Sequence, residues 1–255
     1  MAEAKRETGF RDHFSGHAPI YKSYRPSYPA ALFDAIAARS PATEAVWDCA
    51  CGNGQASIGL AGKFDLVYAT DASAQQIEGA EPHPCIRYSV APAEASGLAD
   101  HSVDAVLVAQ ALHWFDIERF YDEVERVVRP GGLLVAAGYE FHLLTPEIDA
   151  ITRHLSTDVI GSHWPPESRL LLSHYSDVPR RFPPVDMPDL AIEIEWTLDQ
   201  LMGYYASWSG VQRYRKATGK DPLPETRAEI AKVWGDPAQL RRVTWPLVMM
   251  AGRVG

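Results

Sequence analysis

The sequence predicts an α/β fold built on a doubly wound, mostly parallel sheet. Between residues 45 and 137, five short apolar segments alternate with helix-like segments, which is typical of βαβ units. These apolar segments lack polar alternation, and this indicates a sheet buried on both faces. A chain of 255 residues that is 46% hydrophobic can form one such domain with a smaller appendage.

The first half of the chain supplies the alternating elements. A helix is predicted over 30–38 from the helical spacing of its apolar residues, and Ser40-Pro41 ends it. Arg129–Gly132 is interpreted as the turn that stops the last helix. The predicted strands of this half are 45–47, 66–70, 86–90, 103–109 and 133–137. The other predicted helices are 55–61, 73–80 and 117–128.

The pattern changes after Tyr139. The second half is predicted to contain two more strands, for seven in all, because one segment alternates apolar and acidic residues and another is continuously apolar. The predicted elements are a helix over 147–160, an irregular proline-rich stretch over 163–188, a strand over 191–197, helices over 198–233 broken at 219–224, and a strand over 243–252.

Composition excludes several classes of function. The formal net charge of −9 disfavours a nucleic-acid partner, which would need clustered cations. No apolar run approaches the roughly 20 residues of a membrane span, and the polar N-terminus does not resemble a signal peptide. One basic cluster is interpreted as a solvated helix face. That cluster consists of Arg213, Arg215, Lys216 and Lys220.

Cysteine usage favours a reducing, cytoplasmic compartment. The chain has three cysteines, Cys49, Cys51 and Cys85, and an odd number offers no complete disulfide framework. Cys49 and Cys51 are too close in sequence for a C-x-x-C pair, so no metal site is predicted.

A glycine-containing turn follows the first predicted strand, which ends at Asp48. Gly52 and Gly54 are expected to bring the backbone close to a ligand and to point N–H groups at it. A dinucleotide motif would have a third glycine where Ser57 stands, and a phosphate-binding P-loop would continue with Gly-Lys-Ser/Thr. Neither generic motif is therefore complete.

Asp71 ends the second predicted strand, a position from which a carboxylate can accept hydrogen bonds from a ribose diol. The alternative interpretation is a cap of the helix that follows. The glycine turn upstream favours the ribose role.

Two further turns carry candidate residues. Ala91–Glu94 follows the third strand and is either a ligand contact or an ordinary turn with a capping glutamate. Gln110–Asp116 follows the fourth strand and contains His113, which is either a functional or a structural histidine.

These motifs resemble those of the class I S-adenosylmethionine-dependent methyltransferases, of the methyltransferase type 11-like kind. That family's loop reads acid-x-G-x-G-x-G, and Ala50 stands at its first glycine. The stretches 21–29, 110–115 and 203–214 resemble a small-molecule subgroup that includes trans-aconitate methyltransferase-like enzymes. The resemblance implies a seven-stranded Rossmann-like sheet with a helical cap over the active site.

The resemblance also implies a division of the chain and roles for particular residues. The implied division is a cofactor lid over 1–29, a cofactor-binding core over 30–139, a linker and cap over 140–190, and the last core strands over 191–255 with a cap insert at about 198–240. The implied cofactor-binding residues are Tyr21, Arg25, Asp48, Gly52, Asn53, Gly54, Asp71, Ala72, Ala93, Glu94 and Gln110. The implied catalytic residues are His113 and Tyr21, and the implied substrate pocket is His17, His113, Tyr139, Trp164, Trp208 and Tyr214.

The expected activity is methyl transfer from S-adenosyl-L-methionine to a small-molecule acceptor, a carboxylate or a hydroxyl, with S-adenosyl-L-homocysteine as product. Arg25 is expected to pair with the cofactor carboxylate and Tyr21 to face its sulfonium, unless both only fasten the N-terminus. The alternatives are an NAD-dependent oxidoreductase, a non-catalytic S-adenosylmethionine-binding module, and an enzyme acting on RNA or protein. The sequence leaves open whether the chain is a monomer or a dimer.

Overall fold

The computed structural model describes residues 26–166 and 173–255. The predictions for His17, Tyr21 and Arg25 lie outside these residues.

Within the described ranges, one seven-stranded sheet has the strand order β3-β2-β1-β4-β5-β7-β6. Its first five strands are parallel, and β7 is antiparallel to both of its neighbours. This confirms the predicted doubly wound, mostly parallel sheet. Strand order reverses between β1 and β4, where such sheets bind ligands at their carboxyl edge. The strands are β1 (Ala45–Cys49), β2 (Leu66–Asp71), β3 (Ile86–Val90), β4 (Val103–Ala109), β5 (Val128–Tyr139), β6 (Ala191–Trp196) and β7 (Arg241–Val254).

Helices cover both faces of the sheet. The helices of the first half are α1 (Ala30–Arg39), α2 (Gln55–Ala61), α3 (Ala74–Glu78) and α4 (Ile117–Val127). On one face α1 and α2 bury Leu32, Phe33 and Leu60, and on the other α4 buries Phe120 and Val124. Such two-sided burial explains why the parallel strands are continuously apolar.

The second half adds a helical cap around an aromatic core. This core contains Trp196, Tyr204 and Trp245, and Trp245 Nε1 donates to the Tyr204 hydroxyl over 3.1 Å. No helix in the described ranges is long and apolar enough to cross a membrane. The cap helices are α5 (Pro146–His154), α6 (Leu198–Ala206), α7 (Ser209–Thr218) and α8 (Leu223–Trp234).

The predicted helical stretches of the cap are largely confirmed, with two differences from regular α-helix. The stretch predicted over 147–160 is α-helical to His154 and continues over Leu155–Val159 as a single π turn. The helical stretch predicted over 198–233 has a second break at Ser207–Trp208. There the backbone of Trp208 is extended, and its side chain is only 5% exposed. Burial of this indole therefore outweighs helix continuation.

The prediction of a turn at Arg129–Gly132 was wrong, because these residues are part of β5. Val128 pairs with Val103, and the next pairing along is Leu133 with Ala105. The extra residues on β5 interrupt its regular pairing with β4. Pro130 lies in this interruption, where its missing N–H does not remove a hydrogen bond between the strands.

Candidate functional site

The carboxyl ends of the parallel strands gather polar side chains at one edge of the sheet. Asp48 lies in β1, Asp71 ends β2, Gln110 follows β4, and Glu140 follows β5. The edge spans the reversal of strand order between β1 and β4, so the fold itself brings these residues to one crevice.

The glycine turn is held by hydrogen bonds within the protein. Gly52 N–H donates to Asp71 Oδ2 over 2.9 Å, and Gly54 N–H donates to the Cys51 carbonyl over 3.0 Å. The expectation that these two N–H groups point at a ligand was therefore wrong. Ala50 and Gly52 both have φ of 57°, so the turn needs a left-handed backbone at both positions.

Gly54 makes room for a neighbouring side chain. Its φ is 84°, and a Cβ at this position would clash with the ring of Tyr88 from β3. The close approach predicted from this glycine is thus an approach to Tyr88. At Gly52, only Gln76 Oε1 lies near the position of the missing Cβ, at 3.9 Å. The need for glycine at this position is therefore explained by the left-handed backbone alone.

Ser57, which breaks the dinucleotide motif, supports Asp48. Its hydroxyl donates to Asp48 Oδ2 over 2.5 Å, and both residues are fully buried. Asp48 Oδ1 has no hydrogen-bond partner among the described residues. Burial raises the pKa of Asp48 to about 7, the Ser57 hydrogen bond opposes that rise, and the charge of Asp71 adds to it.

Asp71 is positioned by two backbone donors. Its Oδ2 accepts from Gly52 N–H, and its Oδ1 accepts from Ser73 N–H over 2.8 Å. Val90 pairs in register with Asp71 and is 55% exposed, which places an apolar surface beside the carboxylate. Sequence reasoning missed Val90 because a strand-end valine looks like ordinary core.

The other predicted cofactor residues have different surroundings. Asn53 and Ala72 are partly exposed, while Ala93 is buried. Glu94 Oε1 accepts from the N–H of Asp116 over 2.9 Å, so this glutamate ties the turn after β3 to the start of α4.

Gln110 clamps the end of the neighbouring strand. Its amide donates to the Tyr139 carbonyl over 2.9 Å and accepts from Tyr139 N–H over 2.8 Å. Its own φ is 57°, a conformation that costs energy for a residue with a Cβ. Tyr139 itself is buried, with its ring 6.1 Å from that of Tyr28.

His113 lies in a short 3₁₀ turn, Leu112–Trp114, just past β4. Its side chain is largely buried, and its ring centroid is 4.9 Å from that of Trp114. Its neighbours Leu112 and Trp114 pack in the same apolar cluster as Phe120 and Val124 of α4.

The cap brings some predicted pocket residues together. The rings of Trp164 and Trp208 are 5.6 Å apart, and Phe141, which sequence reasoning missed, contacts both. Tyr214 packs instead against His163, with ring centroids 5.2 Å apart. The predicted lining is thus divided between an aromatic group in the cap and the strand-edge residues described above.

Glu140 and His174, which sequence reasoning also missed, approach each other here, with Glu140 Oε1 and His174 Nε2 3.1 Å apart but not hydrogen-bonded. Glu140 directly follows β5, so its position at the carboxyl edge was a usable signal. His174 carried none, because it lies in a stretch without periodicity.

The thiols near the site are not suited to nucleophilic chemistry. Burial raises the pKa of both Cys49 and Cys51, which keeps them protonated. In the described part of the chain, no group of three or more His, Cys, Asp or Glu side chains is arranged to hold a metal ion.

Comparison with known proteins assigns the chain to a family. A model of the methyltransferase domain matches residues 47–136. A putative methyltransferase of Dictyostelium discoideum is 31% identical over 254 residues, covering 96% of each chain. A probable S-adenosylmethionine-dependent methyltransferase of Saccharomyces cerevisiae is 32% identical over 121 residues, or 44% of this chain and 42% of the relative.

A solved structure agrees over nearly the whole length. A putative type II methyltransferase from Anaeromyxobacter dehalogenans is 43% identical, with a TM-score of 0.87 over 91% of this chain and 98% of that one. The sheet order, the acid-glycine turn and these relatives lead to one conclusion. The chain belongs to the class I S-adenosylmethionine-dependent methyltransferases.

Proposed function

We propose that the protein binds S-adenosyl-L-methionine across the β1, β2 and β4 ends and transfers its methyl group to a small-molecule acceptor. The observation that carries this proposal is the Asp71 carboxylate, which the backbone N–H groups of Gly52 and Ser73 hold in place at the sheet edge, beside the reversal of strand order.

The residues around Asp71 fit an adenosine group. A ribose diol would donate to the two carboxylate oxygens, as in nucleotide-binding sheets generally. The exposed surface of Val90 would pack against the base, with Ala72 and Ala93 as small neighbours. Asn53 and Gln110 flank the path toward β4, where the amino-acid end would lie.

When bound, the cofactor supplies a methyl group already activated by its sulfonium. The protein then needs mainly to align the acceptor, since good alignment contributes roughly 7–11 kcal/mol to such displacements. The residues that would contact the acceptor are His113, beside β4, and the aromatic group of the cap, which consists of Phe141, Trp164 and Trp208. An aromatic wall of this kind suits a small acceptor that is partly apolar.

Calorimetric titration with S-adenosylhomocysteine tests the cofactor site. We expect saturable 1:1 binding to the wild type and a 10- to 100-fold weaker affinity for Asp71→Asn, because an amide nitrogen would face a backbone donor. Asp65→Asn, an exposed position at the other end of β2, is the matched control and should bind like the wild type. Absence of S-adenosylhomocysteine binding together with tight NADH binding would contradict the proposal in favour of an oxidoreductase.

A further inference from the structure

The connection between β3 and β4, residues 91–102, contains no helix or strand. It begins beside the proposed cofactor site, because Val90 pairs in register with Asp71 and the N–H of Ala91 donates to the Asp71 carbonyl over 3.0 Å. We call residues 91–96 the base-side turn, since the base of the proposed cofactor would pack against Val90 and Ala93. The position of this turn therefore shapes one end of the cofactor site.

Contacts with α4 hold the base-side turn in place. Ser96 donates to Glu123 Oε1 twice, from its N–H over 2.7 Å and from its hydroxyl over 2.5 Å, and both residues are buried. Closer to β3, Glu94 Oε1 accepts from the N–H of Asp116, the cap residue of α4, over 2.9 Å. The turn is thus attached at two places to a helix that lies outside it.

Glu123 is an ionised carboxylate at the buried attachment point. Besides Ser96, Arg126 donates to it, from Nη2 to Oε1 over 2.7 Å and from Nε to Oε2 over 2.9 Å. Burial by itself would raise the pKa of Glu123, but hydrogen bonds from Arg126 and Ser96 outweigh this effect and hold the pKa below its usual value. Charge-assisted bonds to both carboxylate oxygens fix the orientation of the group.

Arg126 extends the attachment further along the connection. Its Nη1 donates to the Leu98 carbonyl over 2.7 Å and to Asp100 Oδ1 over 2.6 Å. Its backbone carbonyl accepts from the N–H of His101 over 2.9 Å. The connection therefore follows α4 along most of its length, and Glu123 is the side chain that joins the base-side turn to this arrangement.

We propose that Glu123 is a positioning residue for the cofactor, which holds the base-side turn against α4 and thereby sets the affinity of the site for the adenine base. This inference rests on the proposed function. Glu123 acts through Ser96, whereas the residues that would contact the base, Val90 and Ala93, lie next to the turn or in it.

The physical reason is preorganisation. A turn that is already held in its bound shape does not have to be ordered when the ligand binds, so less of the interaction free energy is lost. A turn released from Glu123 would have to be ordered at the expense of affinity. The loss should be confined to the base end of the cofactor, because Asp71 is held by Gly52 and Ser73 and not by α4.

Two fragments of S-adenosylhomocysteine separate the base end from the rest of the cofactor. Adenosine contains the base and the ribose, whereas S-ribosylhomocysteine contains the ribose and the amino acid but no base. We expect Glu123→Gln to weaken adenosine binding about 10-fold and S-ribosylhomocysteine binding less than about 2-fold, because the amide would present a donor to Ser96 or Arg126. Ligand-observed NMR measures both dissociation constants.

Three further variants serve as controls. Glu125→Gln is the same substitution at an exposed position of α4 and should bind both fragments like the wild type. Asp71→Asn should weaken both fragments, since both contain the ribose diol. Ser96→Ala removes only the hydroxyl donor, and we expect it to weaken adenosine binding about 3-fold without affecting S-ribosylhomocysteine. Ser96→Ala decides the question if circular dichroism shows that Glu123→Gln does not fold.

The outcomes separate the two proposals. Equal weakening of both fragments in Glu123→Gln, or unchanged adenosine binding, would overturn the role of Glu123 and leave the cofactor site standing. The same criteria apply to Ser96→Ala if it has to replace Glu123→Gln. Failure of the wild type to bind S-adenosylhomocysteine would instead refute the proposed function.

Discussion

The side-chain amide of Gln110 satisfies both backbone groups of Tyr139, accepting from its N–H over 2.8 Å and donating to its carbonyl over 2.9 Å. This two-bond contact joins the ends of β4 and β5. Gln110 adopts a left-handed backbone in making it, so the chain tolerates strain to form the clamp.

We expect Gln110→Ala to lower the free energy of unfolding by about 2 kcal/mol, since two backbone groups of a buried residue lose their partner. Urea unfolding followed by circular dichroism measures this. Gln75→Ala, at an exposed position in α3, should change it by less than about 0.5 kcal/mol. Equal losses in the two variants would show that the clamp contributes nothing.

Ala50 has φ of 57°, a left-handed conformation that glycine adopts more readily than alanine. Ala50→Gly should raise the free energy of unfolding by about 0.5–1 kcal/mol. The strain energy that glycine relieves in the left-handed backbone exceeds the free-energy cost of the greater conformational entropy of the unfolded chain. The same substitution at the exposed Ala38 of α1 should instead lower it by about 0.5–1 kcal/mol. Thermal unfolding of both variants decides the matter, and the same sign in both would contradict this account.

Asp48 should make stability depend on pH. Burial raises its folded pKa to about 7 from an ordinary value of 3.8, so between these values the folded state holds a proton that the unfolded state has released. Stability from this group is therefore fully present below about pH 4 and is lost as the pH rises toward 7.

Comparison with Asp48→Asn isolates this effect. We expect the unfolding free energy of the wild type, relative to the variant, to fall by about 1.4 kcal/mol per pH unit between roughly pH 5 and 6.5. Urea unfolding without cofactor at several pH values provides the measurement. A constant difference across that range would mean that Asp48 titrates as an ordinary surface carboxylate does.

Gly54 and Gly52 should respond differently to a methyl group. Gly54→Ala meets both a left-handed backbone and the ring of Tyr88, whereas Gly52→Ala meets only the backbone penalty. We expect Gly54→Ala to lose more unfolding free energy than Gly52→Ala, and Tyr88→Ala to recover about 1 kcal/mol of that loss in the double variant. If the effects of Gly54→Ala and Tyr88→Ala are additive, Tyr88 does not fill the space above Gly54.

The sequence alone determined the sheet and which residues lie at its carboxyl edge. Apolar strands alternate with amphipathic helices, and few arrangements of the chain are compatible with this local pattern. The predicted β3 and β4 accordingly match the structure residue for residue. Asp48, Gly52, Gly54 and Asp71 were found for a similar reason: they lie next to strand ends, and strand ends are visible in sequence.

Only the tertiary structure decided what those residues touch. The N–H of Gly52 is used by Asp71, and Gly54 accommodates Tyr88. Glu140 meets His174 only because Arg181 and Tyr121 fix an irregular segment to α4. Such contacts join residues far apart in the chain through side-chain packing, and no periodicity records them. The pattern of strands sets where a site lies, and long-range packing sets which groups act there.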